Sequence, residues 1–149
     1  MTQRPLFAIG GLGEIAIRCA DLGSMRRFYE GVIGLKTLSE RPGGIIFFDL
    51  GAGVGGHTQV LALFAADAGG VGVAGEHAGG VLTGTRASLH HIALALTADD
   101  QQAACDWFDR TGRPYRVEEF DWIGWRGVFL SDPEGNTVEL VAKVKEPQP

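Results

Sequence analysis

The chain reads as an α+β protein made of two copies of one βαβββ module, and three observations carry that reading. The strand-like segments Glu14-Ile15-Ala16-Ile17 and His91-Ile92-Ala93-Leu94 echo one another at an offset of 77 positions. Each is followed by a helix-like stretch with an aromatic pair, Phe28-Tyr29 and then Trp107-Phe108. Each copy closes on an apolar strand, and the interval from opening residue to closing strand is 48 positions in both, Glu14 to Ala62 and His91 to Glu139. Self-similarity at a fixed offset marks a repeated supersecondary unit.

The first module spans about 12–64. A strand is expected over 14–19, then a helix over about 22–33, where Leu22, Met25, Phe28, Tyr29, Val32 and Ile33 recur at helical spacing. Asp21 is placed to cap its start and Gly34 to stop it. Strands follow near 35–40, 44–50 and 58–64. The second module, about 89–144, repeats the order: strand 90–96, helix about 99–110, then strands near 114–120, 125–131 and 136–143. Thr97 and Asp99 are the candidate caps, with Gln102 in capping-box spacing from Asp99. Gly112 and Pro114 end the helix, and Asp132-Pro133-Glu134-Gly135-Asn136 carries turn chemistry between the last two strands. The Gly- and Ala-rich connection 65–88 has no period and little to bury, so it is expected to be mobile and to serve as a lid. The tail after Lys145 is expected to fray.

Bulk properties narrow the function classes. At 149 residues one domain, 1–149, is expected, with 45% hydrophobic residues to fill its core. A net charge of −5 argues against a nucleic-acid groove. The sequence has no apolar run of membrane-spanning length and no apolar leader at its start. Cys19 and Cys105 form neither a metal motif nor a disulfide framework, which suits a reducing cytoplasm.

Strand alternation sorts the side chains. Glu14, Ala16 and Arg18 share one face of the opening strand, against Ile15, Ile17 and Cys19. His91, Ala93 and Ala95 likewise oppose Ile92, Leu94 and Leu96, which leaves His90 on the far side as a structural residue. The aliphatic faces pack under the helices, and the small and polar faces line a concave surface. If the two modules bury their sheets together, Glu14, His91 and Glu139 converge there as donors for one divalent ion, with Mn, Fe(II), Ni or Zn suited to two carboxylates and an imidazole.

The stretches EIAIRCADLGSMRRFYEGVIGL, HHIALAL and GWRGVFLSDPEGNTVELV resemble the vicinal oxygen chelate superfamily, which includes glyoxalase I, extradiol dioxygenases and the fosfomycin- and bleomycin-resistance proteins. The resemblance covers nearly the whole chain. Its most specific part is the DPxGNxxEL turn and strand. It implies a half-open, eight-stranded barrel around a cavity, a small-molecule substrate and a homodimer. It also implies metal ligands on the first and last strands of each module. His91 and Glu139 match the usual types, Glu14 stands where histidine is usual, and Ala62 occupies the fourth position and cannot ligate. His57 or Gln59 substitutes there only with a shift of register, and Ala62→Glu is expected to restore the fourth ligand.

The resulting reading is a metal-dependent, glyoxalase-like enzyme that moves a proton on an oxygen-rich substrate. The ion acts as Lewis acid, and Glu14 or Glu139 acts as the acid–base group. Arg18, His57, Trp122 and Trp125 are the candidate substrate contacts. One alternative is a ring-cleaving dioxygenase. The other is a metal-free binding protein of the drug-resistance type, which the loss of a ligand at Ala62 favours.

Overall fold

The structure, a computed structural model, describes residues 10–68 and 89–148. The chain divides into two compact units, Met1–Val73 and Ala74–Pro149. The first contains β1 (Glu14–Cys19), α1 (Leu22–Arg27), β2 (Lys36–Arg41), β3 (Ile45–Ala52) and β4 (Thr58–Ala65). The second contains β5 (Ile92–Ala95), α2 (Ala98–Thr111), β6 (Arg116–Phe120), β7 (Trp125–Ser131) and β8 (Thr137–Lys143). The sheet orders are β1-β4-β3-β2 and β5-β8-β7-β6, so each unit is one βαβββ module, as the repeat predicts. Most of the connection 65–88 lies outside the described residues, and with it the expected lid.

In the first unit the alternation of β1 is realised. Ile17 and Cys19 are buried, whereas Glu14, Ala16 and Arg18 are exposed. Strand β4 is central, flanked by β1 in parallel and β3 antiparallel, and accordingly buries four residues in a row, Val60 to Leu63. Asp21 caps α1 by accepting from the Ser24 backbone N–H at 3.0 Å. The α-helix is shorter than its periodicity predicts: after Arg27 the chain widens into a π turn over Phe28–Val32. Both adjacent rings of that turn, Phe28 and Tyr29, are buried, edge to face at 5.1 Å. Gly34, at φ 84°, ends the turn.

In the second unit Thr97, not Asp99, caps α2. Its hydroxyl accepts from the Asp100 N–H at 3.1 Å and donates to the Asp100 carboxylate at 2.9 Å. The expected box from Asp99 to Gln102 does not form, because the helix starts one residue earlier and Gln102 instead reaches Asp106 at 3.1 Å. Gly112 closes the helix in the left-handed conformation. Gln101 is fully buried and ties α2 to the sheet: its amide donates to the carbonyls of Arg126 and Leu140, both at 2.7 Å, and accepts from Arg126 Nε at 2.6 Å. The turn between β7 and β8 is built on Asp132, whose carboxylate accepts from the backbone N–H groups of Glu134 and Asn136 and from Asn136 Nδ2. Lys145 pairs with Asp121 at 2.6 Å, and the Gln148 N–H donates to the Asp121 carbonyl at 2.8 Å.

Candidate functional site

The register of the two parallel pairs tests the repeat at residue level. Ile15 pairs with Leu61 and Ile92 with Val138, both keeping the offset of 77. Ala62 is therefore the structural counterpart of Glu139: Ala16 pairs with Ala62 and Ala93 with Glu139.

The open face of the second unit carries the clearest constellation. Across the sheet, Ala93, Glu139, Phe129 and Arg116 are register neighbours and so project to one side. His91 lies just before β5, because the strand begins at Ile92 rather than at 90. Its Nε2 sits 3.2 Å from Glu139 Oε2. Glu139 is only 6% exposed, a costly place for an unpartnered carboxylate. Room for it comes from Gly127, where an added Cβ would lie 2.5 Å from Glu139 Oε1. The His91 ring also stands edge-on to Phe129, with centroids 6.4 Å apart. His90 does not turn to the far side. It precedes the strand, is exposed, and its Nδ1 lies 2.8 Å from His91 Nδ1.

The first unit presents a different arrangement. Glu14 and His57 line one open cleft of about 330 Å3 together with Phe47, Thr58 and Val60. The imidazole of His57 packs against Gly13, whose Cβ, if present, would meet it at 3.4 Å. Gln59 lies on the opposite face of β4 from Thr58 and Val60, and its amide donates to the Ala52 carbonyl at 2.9 Å. Arg18 Nη1 is engaged with the backbone carbonyls of Ala65, Ala66 and Ala68, the last at 2.7 Å. In the second unit Trp125 starts β7 on the same face as Gly127 and Phe129. Trp122 stands in the preceding turn, 71% exposed.

The donor chemistry can be set against a metal ion. Two ligands bonded at about 2.1 Å and near right angles lie about 3 Å apart. The 3.2 Å between His91 Nε2 and Glu139 Oε2 thus suits two ligands of one ion as well as a direct hydrogen bond. Among the described residues no group of three or more His, Cys, Asp or Glu side chains is gathered to hold a metal. Without an ion, an imidazole and a carboxylate at this distance can pass a proton between them or to a third group.

Sequence reasoning missed Gly127, Phe129 and Arg116. A glycine inside an apolar strand is itself a signal of close approach, and Gly127 had that signal.

Two βαβββ modules in the same register, each with a polar open face, define a duplicated α+β protein. Residues 11–140 match the model of the Glyoxalase/Bleomycin resistance protein/Dioxygenase superfamily, and the chain belongs to that superfamily. Its members commonly use a divalent metal and bind small molecules. No curated protein matches the sequence. Among solved structures, lactoylglutathione lyase from Agrobacterium tumefaciens is 23% identical, with 93% of this chain and 96% of that one covered and a TM-score of 0.59. A genomically encoded fosfomycin resistance protein from Listeria monocytogenes is 16% identical, with coverage of 91% and 94% and a TM-score of 0.59. A glyoxalase/bleomycin resistance protein/dioxygenase from Nocardioides is 20% identical, with coverage of 100% and 90% and a TM-score of 0.59. At these identities the likeness is one of fold.

Proposed function

We propose that the protein is a glyoxalase-like enzyme that moves a proton on a small, oxygen-rich substrate, with His91 and Glu139 as ligands of a divalent ion. The observation that carries this reading is the nearly buried Glu139 carboxylate, seated over Gly127 and 3.2 Å from His91 Nε2. Glu14, the counterpart of His91 in the repeat, is proposed as a ligand on the ground of its residue type, a carboxylate oxygen donor. A divalent ion, when bound, supplies Lewis-acid stabilisation of negative charge on substrate oxygens. The chain's own part is positional and acid–base. His91 orients Glu139, Gly127 keeps the carboxylate in place, and Phe129 offers a flat apolar wall beside it. Either carboxylate can take up and return the substrate proton, and Glu14, exposed on its face, is the less constrained of the two. His57, in the same cleft as Glu14, and Arg18 in the first unit, and Trp122 and Trp125 in the second, are proposed as substrate contacts.

A second reading keeps the pocket and drops the metal: a binding protein of the resistance type. Two observations favour it, the alanine at the counterpart of Glu139 and the lack of a three-donor group among the described residues. Calorimetric titration with Mn(II), Fe(II), Ni(II) and Zn(II) separates the two. The enzyme reading expects one site in the wild type, none in His91→Ala, and weaker binding in Glu139→Gln. No binding by the wild type, or equal binding by His91→Ala, leaves the metal-free pocket.

A homodimer in a reducing cytoplasm is also proposed. Each four-stranded sheet has two edge strands that invite pairing, and Cys19 and Cys105 are not joined in a disulfide. A monomer in sedimentation at every micromolar concentration overturns the dimer.

A further inference from the structure

The second unit holds another recess beside the His91–Glu139 pair. It is a cleft of about 400 Å3 lined by Arg113, Tyr115, Arg116, Phe129, Ser131 and Thr137, a size that takes a small molecule. The chain carries a net charge of −5, yet no Asp or Glu is among the described residues that line this cleft. It offers guanidinium and hydroxyl donors instead.

Arg116 is its central group. The guanidinium lies over the Phe129 ring, 5.4 Å from the centroid, which gives the head a defined seat. Its Nη1 also meets Glu118 at 2.9 Å, but the two side chains are 69% and 41% exposed, and a pair so exposed holds weakly enough for a ligand to replace it. Phe129 joins the cleft to the reacting pair, since it is the register partner of both Arg116 and Glu139 and lies against His91.

We propose that this cleft seats the anionic end of the substrate, a carboxylate or phosphate group held by Arg116 and Arg113, while the reacting end extends past Phe129 to His91 and Glu139. Guanidinium groups present paired N–H donors that match such oxyanions. The inference rests on the reading of His91 and Glu139 as the reacting pair, and it adds a substrate class, small organic anions.

Calorimetric titration of the full chain with inorganic phosphate and with malonate tests it and tells the two oxyanion types apart. At least one of them is expected to bind at a single site. The double variant Arg113→Gln/Arg116→Gln should weaken that binding by about tenfold or more. Arg110→Gln, which removes a charge stacked on Trp107 outside the cleft, should leave it within about twofold. His91→Ala should lose metal binding and keep the anion, so a failure of the metal reading leaves the anion result intact. The assignment is overturned if neither anion binds or if the double variant binds as well as the wild type. Loss of the anion in His91→Ala overturns it too, by placing the anion at the pair rather than in the cleft.

Discussion

Gly127→Ala probes the seat of Glu139 directly. The new methyl would lie 2.5 Å from Glu139 Oε1, 2.6 Å from Phe129 Cε2 and 2.9 Å from Phe129 Cζ, so something must move. Both the Phe129 ring, packed by His91, Phe120 and Arg116, and the Glu139 carboxylate must shift, and the carboxylate's shift loosens its contact with His91. Overpacking of this kind costs about 1–3 kcal/mol. Replacing glycine within a strand returns roughly 0.5–1 kcal/mol through lower chain entropy. The net expectation is a loss of up to about 2.5 kcal/mol, which in a chain of this size lowers the melting midpoint by up to roughly 10 °C. Urea and thermal unfolding measure it. The decisive control is the same change in a Glu139→Ala background, where the carboxylate is gone and only the ring clash remains. There the cost should fall by about 0.5 kcal/mol or more. Equal costs in the two backgrounds would refute the claim that Gly127 exists to make room for Glu139.

Other expectations follow from the same geometry. Ala62→Glu should destabilise the protein by about 2 kcal/mol or more in urea melts and should not strengthen metal binding. Ala62 is the counterpart of Glu139, but it is fully buried and Ile45 stands where the second unit has Gly127, so a carboxylate there has no cradle. A gain in metal affinity without loss of stability contradicts this. Gln101→Leu should cost about 2–3 kcal/mol, because it strips a partner from two carbonyls and from Arg126 Nε under α2; a loss below about 0.5 kcal/mol counts against the latch. Hydrogen bonds from Thr37 and then Arg26 hold the Glu30 carboxyl below its ordinary value of 4.5. A depressed carboxyl contributes stability above its unfolded value that disappears as pH falls through the folded one. Thr37→Val should therefore lose less stability than the wild type when pH is lowered from 7 to below 4.5, and an identical loss in both would contradict the attribution.

The modules were legible because the information they need is local. An alternating strand, a capped helix and a Gly-rich turn each announce themselves within a few residues, and the offset of 77 then fixes the register of both parallel pairs. His91 and Glu139 were readable for the same reason. Features that depend on which strand lies beside which were not. Arg116 over Phe129 and Gly127 under Glu139 arise from pairings between β6, β7 and β8 that no single segment encodes. Gln101 was hidden because a glutamine among Asp99, Asp100 and Gln102 reads as helix surface, whereas its amide is the element that joins α2 to the sheet. Arg18 showed only its face. That its guanidinium turns to the carbonyls after β4 depends on how the chain leaves that strand. The α-helical run of the first module was overestimated because helical spacing does not distinguish an α turn from the π turn at Phe28–Val32.

The metal-dependent function requires that His91 and Glu139 serve a metal ion. Elemental analysis of protein purified without an affinity tag, run beside His91→Ala and Glu139→Gln, measures this most directly. Close to one equivalent of a divalent transition metal per chain is expected in the wild type, near none in His91→Ala, and less than the wild type in Glu139→Gln. A metal-free wild type that also takes up no ion on reconstitution, or equal metal in wild type and His91→Ala, contradicts it.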